Sequence, residues 1–260
     1  MKQWNGMVRK EWVTMKWPLI VSALVAITVM AVFPSLITGF LAAEVHVFEF
    51  ALVICFMWAG ASVFAPVTAL FTMLGSEMKR PDIWLHSNAS IFKLIGSKAF
   101  MALMIGVGGL LIPTTVLSVH YALSKSTMFS FDELLFFGTI FIVLCFAASI
   151  VFMSVGFFFW VINRLQKPYV RGFSIVITII LFLISARIYG QFVLSKLYQK
   201  LVMVGPIDLL VLINPAIVMD FVFFEPTEAF FYMGEILFSA FSTVTLFVVA
   251  AVLFEKKVRL

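Results

Sequence analysis

The charges of this chain are spaced so that long stretches carry none. Twenty-seven residues separate Lys16 from Glu44, and another 27 separate Glu49 from Glu77. Twenty-six lie between Lys98 and Lys125, 30 between Glu133 and Arg164, and 19 between Glu235 and Glu255. A helix needs about 20 apolar residues to cross the hydrocarbon core, so these five gaps predict membrane helices. A sixth gap, Gly172 to Ala186, has only 15 residues. It suffices if Arg187 lies near a membrane surface and the helix runs on toward Phe192. Composition agrees: 63% of the residues are hydrophobic and 12% charged, too little polar surface to coat a soluble core of this size. The expectation is an all-α integral membrane protein. An amphipathic interface helix over 1–16 precedes one six-span domain over 17–260, with spans near 17–40, 48–75, 99–119, 134–162, 172–190 and 230–254.

The same charges set an orientation. Segments 1–16, 76–98, 163–171 and 255–260 hold 14 of the 18 Lys and Arg, against four carboxylates (Glu11, Glu77, Asp82, Glu255). The other side holds four cations and nine carboxylates. Lys/Arg bias marks the cytoplasmic face, so both termini are expected there. The basic balance then needs no nucleic acid to explain it. The first apolar run is too long for a cleaved signal peptide, and no small-residue cleavage site follows it cleanly.

Several chemistries have no support. No Gly-x-x-x-x-Gly-Lys-Ser/Thr stretch provides a phosphate cradle, and no His-Glu-x-x-His or Gly-x-Ser-x-Gly occurs. His46, His86 and His120 are scattered over both sides and form no metal set. Cys55 and Cys145 fall inside spans, where they act as small apolar residues. No span carries a charge at mid-depth, the usual mark of an ion or proton path. Arg187 and Glu235 fall near the outer ends of the fifth and sixth spans, either reaching the interface or lining an outer vestibule.

Local patterns refine the layout. At 100° per residue Trp4, Val8, Trp12 and Met15 form one apolar arc, with Lys2, Arg9, Lys10 and Lys16 off it. Two tryptophans opposite lysines suit a helix lying in the cytoplasmic interface. Glu11 sits at the edge of that arc, either pairing with a cation or meeting another protein. Pro34, Pro66 and Pro113 should kink spans one to three or end a helical piece. Gly106, Gly108 and Gly109 mark either a deformable third span or close helix packing. Residues 76–98 mix Ile83, Trp84, Leu85, Ile91, Phe92, Leu94 and Ile95 with charges. They predict two short helices broken near Ser87–Ser90, with Ser90 capping the second. Between 191 and 229 two apolar runs too short to cross flank Asn214-Pro215, which predicts short helices dipping in from the outer face.

In this order the pieces resemble type-2 ATP-binding-cassette (ABC) permeases. Arg9-Lys10-Glu11-Trp12 is similar to their Arg/Lys-Lys-Glu connecting helix. Asp82-Ile83-Trp84-Leu85-His86-Ser87, followed by Lys93 through Lys98, looks like their coupling-helix loop and the lysine that opens span three. Asn214-Pro215 matches the pair in their outer re-entrant helices. The chain departs from the family in having only Glu77 and Asp82 where an acidic run often precedes the coupling helix. The resemblance implies a bacterial cell-membrane exporter subunit that is not itself an enzyme and binds no cofactor. ATP would be hydrolysed by a separate cytoplasmic ATPase, and a second permease chain, identical or paralogous, would complete the path. It also implies that Glu11 and residues 82–86 form the ATPase-coupling surface. The 31 Phe residues and the scarcity of mid-membrane charge favour an apolar or amphipathic cargo. The alternative is a non-transporting membrane anchor that binds a cytoplasmic partner. An intramembrane enzyme would require a polar cluster that the spans lack.

Overall fold

The computed structural model describes residues 2–41, 47–79, 90–124, 130–207 and 231–257. They are almost wholly helical: α1 (Lys2–Leu41), α2 (Val47–Ser62), α3 (Ala65–Glu77), α4 (Ile91–Ser124), α5 (Phe131–Val170), a 3-10 turn (Arg171–Phe173), α6 (Ser174–Val193), α7 (Lys196–Val202) and α8 (Met233–Lys257). A two-residue ladder pairs β1 (Pro206–Ile207) antiparallel with β2 (Phe231–Tyr232). Among the described residues five helical stretches are long and apolar enough to cross a membrane, which makes this an all-α membrane protein. The chain divides into two compact units, 1–157 and 158–260, with the boundary inside α5.

In the first unit the directions of the helices follow from which residues meet. Glu11 of α1 reaches Lys98 of α4, and further along both helices the Met30 carbonyl meets His120. Both positions advance together, so α1 and α4 run parallel. Glu77, at the end of α3, returns to Lys98, so α2 and α3 run the other way. Phe56 stacks on Phe141 with ring centroids 3.9 Å apart, and Phe64 meets Phe152 at 5.1 Å. The first part of α5 therefore runs alongside α2 and α3 in their direction.

Proline and glycine act differently at each position. Pro66 begins a new helix: α2 ends at Ser62, and Val63 and Phe64 turn through bonds to the Gly60 and Ala61 carbonyls. Pro18, Pro34 and Pro113 instead lie inside helices that continue past them. Residues 2–41 are thus one helix, about 60 Å long at 1.5 Å per residue, with no break at the expected boundary near residue 16. Gly106 lets α4 approach α3, since a Cβ there would lie 2.5 Å from Pro66 Cγ. Gly156 does the same for α5, where a Cβ would lie 2.9 Å from Val67 Cγ1. Of the two readings open for the third-span glycines, close packing is the one seen at Gly106. Cys55 and Cys145 are buried in two separate apolar clusters.

The second unit contains a reversal. Phe159 and Phe182 meet with ring centroids 5.3 Å apart, whereas 23 residues of straight helix would hold them about 35 Å apart. The hydroxyl of Thr178 also donates to Gln166. The end of α5 and α6 therefore form a helical hairpin closed by Arg171–Phe173. Phe238 packs on Phe192 and Tyr198 and Phe254 on Trp160, so α8 runs antiparallel to α6. Gly234 is required where α8 starts, because a Cβ would fall 2.5 Å from the Val202 carbonyl oxygen. Gly205 takes a positive φ of 68° to turn the chain into β1.

Candidate functional site

Adjacent residues on a helix point about 100° apart, and α1 uses this at Lys10 and Glu11. Its buried stripe includes Glu11, Met15, Ala26 and Met30, while Trp12 is 52% exposed. The packed face is thus rotated away from the arc that the tryptophans suggest, and Glu11 lies on it. There its carboxylate accepts from Lys98 Nζ of α4, which is 1% exposed. Lys98 also pairs with Glu77 of α3 at 3.0 Å. Lys10, on the side of the stripe, donates to the same Glu77 oxygen at 2.7 Å. Two lysines and two glutamates cancel, as burial demands of charge. Glu77 Oε2 is buried without a partner among the described residues, so the network is one donor short. Trp4 flanks it, packing on Gly96 and, at 6.4 Å between ring centroids, on Phe100.

This network joins three helices at the two stems of one segment. Glu77 is the last residue of α3, and Lys98 lies two turns into α4. Between them lie the expected coupling residues Asp82, Ile83, Trp84, Leu85 and His86, which fall outside the described residues. The helix after them starts at Ile91, directly behind Ser90, whose carbonyl accepts from Lys93 and Leu94. It is not a separate short helix, because it continues unbroken to Ser124. Ile91, Leu94 and Ile95 are buried within the chain itself, and Phe92 is exposed.

A second polar contact lies about 28 Å along α1 from Glu11. In a helix the carbonyl of residue 30 accepts from the N–H of residue 34, but residue 34 is proline and has none. The carbonyl of Met30 is left open, and His120 Nε2 lies 3.2 Å from it. A carbonyl only accepts, so His120 donates from Nε2 here. Sequence inspection singled out Pro34 and His120 separately; the i−4 rule connects Pro34 to Met30, but nothing in the sequence pairs that carbonyl with His120.

The remaining expected residues do not join a common site. Arg187 on α6 is exposed. Glu235 on α8 is exposed, near Tyr198 of α7, whose hydroxyl pKa is raised by burial first and then by Tyr189 and Glu235. Asn214 and Pro215 lie outside the described residues; the chain enters and leaves that segment through the ladder of β1 and β2. Among the described residues no group of three His, Cys, Asp or Glu could hold a metal ion. No family model, curated protein or solved structure matches the chain.

Proposed function

We propose that this chain is the membrane-spanning permease subunit of a bacterial ATP-driven exporter of the type-2 ABC kind. It has six spans, counting the hairpin of α5 and α6 as two passages, and both termini are cytoplasmic. The chain works with a separate ATPase and a second permease chain, and moves an apolar or amphipathic substrate. The observation that carries this reading is the network of Glu11, Glu77 and Lys98 inside the bundle, with Lys10 joining it from the exposed edge. It ties α1 to both stems of segment 80–89, the segment that resembles a coupling helix. A displacement of that segment by an ATPase is then delivered to α1, α3 and α4 together rather than absorbed by one loop. In this arrangement Glu11 transmits force from inside the bundle, and the direct contact with the ATPase belongs to residues 82–86.

Tagged protein expressed in its native host and extracted in mild detergent provides the test. A co-purifying ATPase is expected, with the association lost on Trp84→Ala or Leu85→Arg. Recovery with a partner that hydrolyses no ATP would move the assignment to a membrane anchor.

A further inference from the structure

The tip of the α5–α6 hairpin holds a cavity of about 380 Å³ lined by Trp160, Asn163, Arg164, Lys167, Arg171 and Ser174, among others. Three cations thus converge on one concave site. No carboxylate occurs anywhere from residue 134 to residue 207, so neither helix of the hairpin can neutralise them. Glu255 on α8 follows Phe254, which packs on Trp160, yet among the described residues it forms no ion pair with the three. Arg164 is held by the Trp160 ring instead, 4.9 Å from its centroid, which fixes the guanidinium without consuming its charge. Arg171 adopts a left-handed φ of 44°, a conformation that costs a non-glycine residue energy. The start of α6 has no side-chain cap, and its helix dipole adds positive potential near Ser174.

We propose that this cavity is a binding site for an anionic phospholipid. The phosphate sits among Arg164, Lys167 and Arg171, and the acyl chains lie along α6. Charge complementarity selects the headgroup, and the surroundings select a lipid over a free anion. Phe173, Ile175, Val176, Ile179 and Ile180 are all exposed on or just before α6, giving an apolar track that leads away from the cavity. Tyr169 is 89% exposed beside it, as suits an aromatic side chain at the headgroup level. Segment 163–171 is expected on the cytoplasmic face, where anionic lipids attract basic clusters. The site does not depend on the transport reading, because it rests on the hairpin alone.

The test uses the full chain, delipidated in detergent and titrated with dioleoylphosphatidylglycerol or dioleoylphosphatidylcholine. Bound lipid is counted by native mass spectrometry. Preferential retention of phosphatidylglycerol is expected, weakened about fivefold by each of Arg164→Gln, Lys167→Gln and Arg171→Gln. Lys93→Gln, the same charge change at an exposed residue of α4, should leave retention unchanged. Lys167 is itself exposed, so Lys167→Gln keeps the test available if loss of the Arg164–Trp160 contact disturbs folding. Equal retention of the two lipids would overturn the proposal, as would an equal loss in Lys93→Gln. Displacement of phosphatidylglycerol by inorganic phosphate at equal concentration would also overturn it, leaving a small-anion site without a lipid.

Discussion

Lys98 and Arg164 are both cations near the end of a long apolar helix, and their surroundings differ in kind. Lys98 lies inside residues 1–157, where Glu11 and Glu77 from two other helices close on it and Lys10 completes a neutral set. Arg164 lies in residues 158–260, where it forms no ion pair among the described residues and the Trp160 ring is its contact. A buried, neutralised charge is an internal tie, since its partner is already in the chain. Three charges around a cavity with no ion pair among the described residues leave room for a counter-charge from outside. Apolar packing follows the same division. The first unit brings its helices into close contact at Gly106 and Gly156, whereas α6 of the second buries only Ser174 and leaves its apolar side chains open to lipid or to another chain.

Removing one cation from each site should have very different consequences. Lys98→Met strands two buried carboxylates with Lys10 alone, and losing one partner of a buried pair costs about 3–5 kcal/mol. A large drop in melting temperature is expected in detergent. Glu11→Met added to Lys98→Met should recover most of it, because Glu77 keeps Lys10. Arg164→Gln measured in the same lipid-free detergent should move stability by no more than about 0.5 kcal/mol. Similar losses in the two single variants would show that both cations are internal ties.

Glycine gives a smaller contrast. Gly106→Ala drives a methyl group into the rigid Pro66 ring, 2.5 Å away, and overpacking of this sort costs about 1–3 kcal/mol. Gly172→Ala, at the hairpin tip, meets nothing within 4 Å and should be close to neutral. Thermal melting of the two variants side by side checks the pair. A neutral Gly106→Ala would mean that α3 and α4 can separate without cost, and that the first unit is less tightly closed than its contacts indicate.

How far these features were legible in the sequence depends on their range. Charge-free stretches are long and set by bilayer thickness, so the all-α membrane class could be read directly. The turn at Arg171–Phe173 falls where the charges of 163–171 interrupt two apolar runs. What could not be read is which face of α1 packs. Trp4, Val8, Trp12 and Met15 define an apolar arc, but Trp12 can face lipid as comfortably as core, and only the presence of Lys98 on a parallel helix makes Glu11 an interior residue. A helical wheel sees one helix, whereas an ion pair between residues 11 and 98 depends on tertiary register. The division at residue 16 marks a change in composition from amphipathic to apolar that has no counterpart in the backbone, because Pro18 is accommodated within α1.

The smallest effect tests a bond that the proline creates. Pro34 withholds the N–H that would satisfy the Met30 carbonyl, and His120 supplies a substitute from α4. Met30 is fully buried but its contact with His120 is only part-buried, so His120→Leu leaves an open acceptor at about 1 kcal/mol, the low end for an unsatisfied group. Pro34→Ala restores the backbone donor to the same oxygen. In that background His120→Leu should cost almost nothing, so the two substitutions should be coupled by about 1 kcal/mol. The double-mutant cycle in melting experiments separates this from a packing role of the imidazole, because a packing role would survive in the Pro34→Ala background. Additive losses would mean that His120 holds α4 to α1 by its shape. Coupled losses would place a second polar tie in the first unit, about one bilayer core away from the Lys98 network, and the contrast with the second unit would extend over the whole length of α1 and α4.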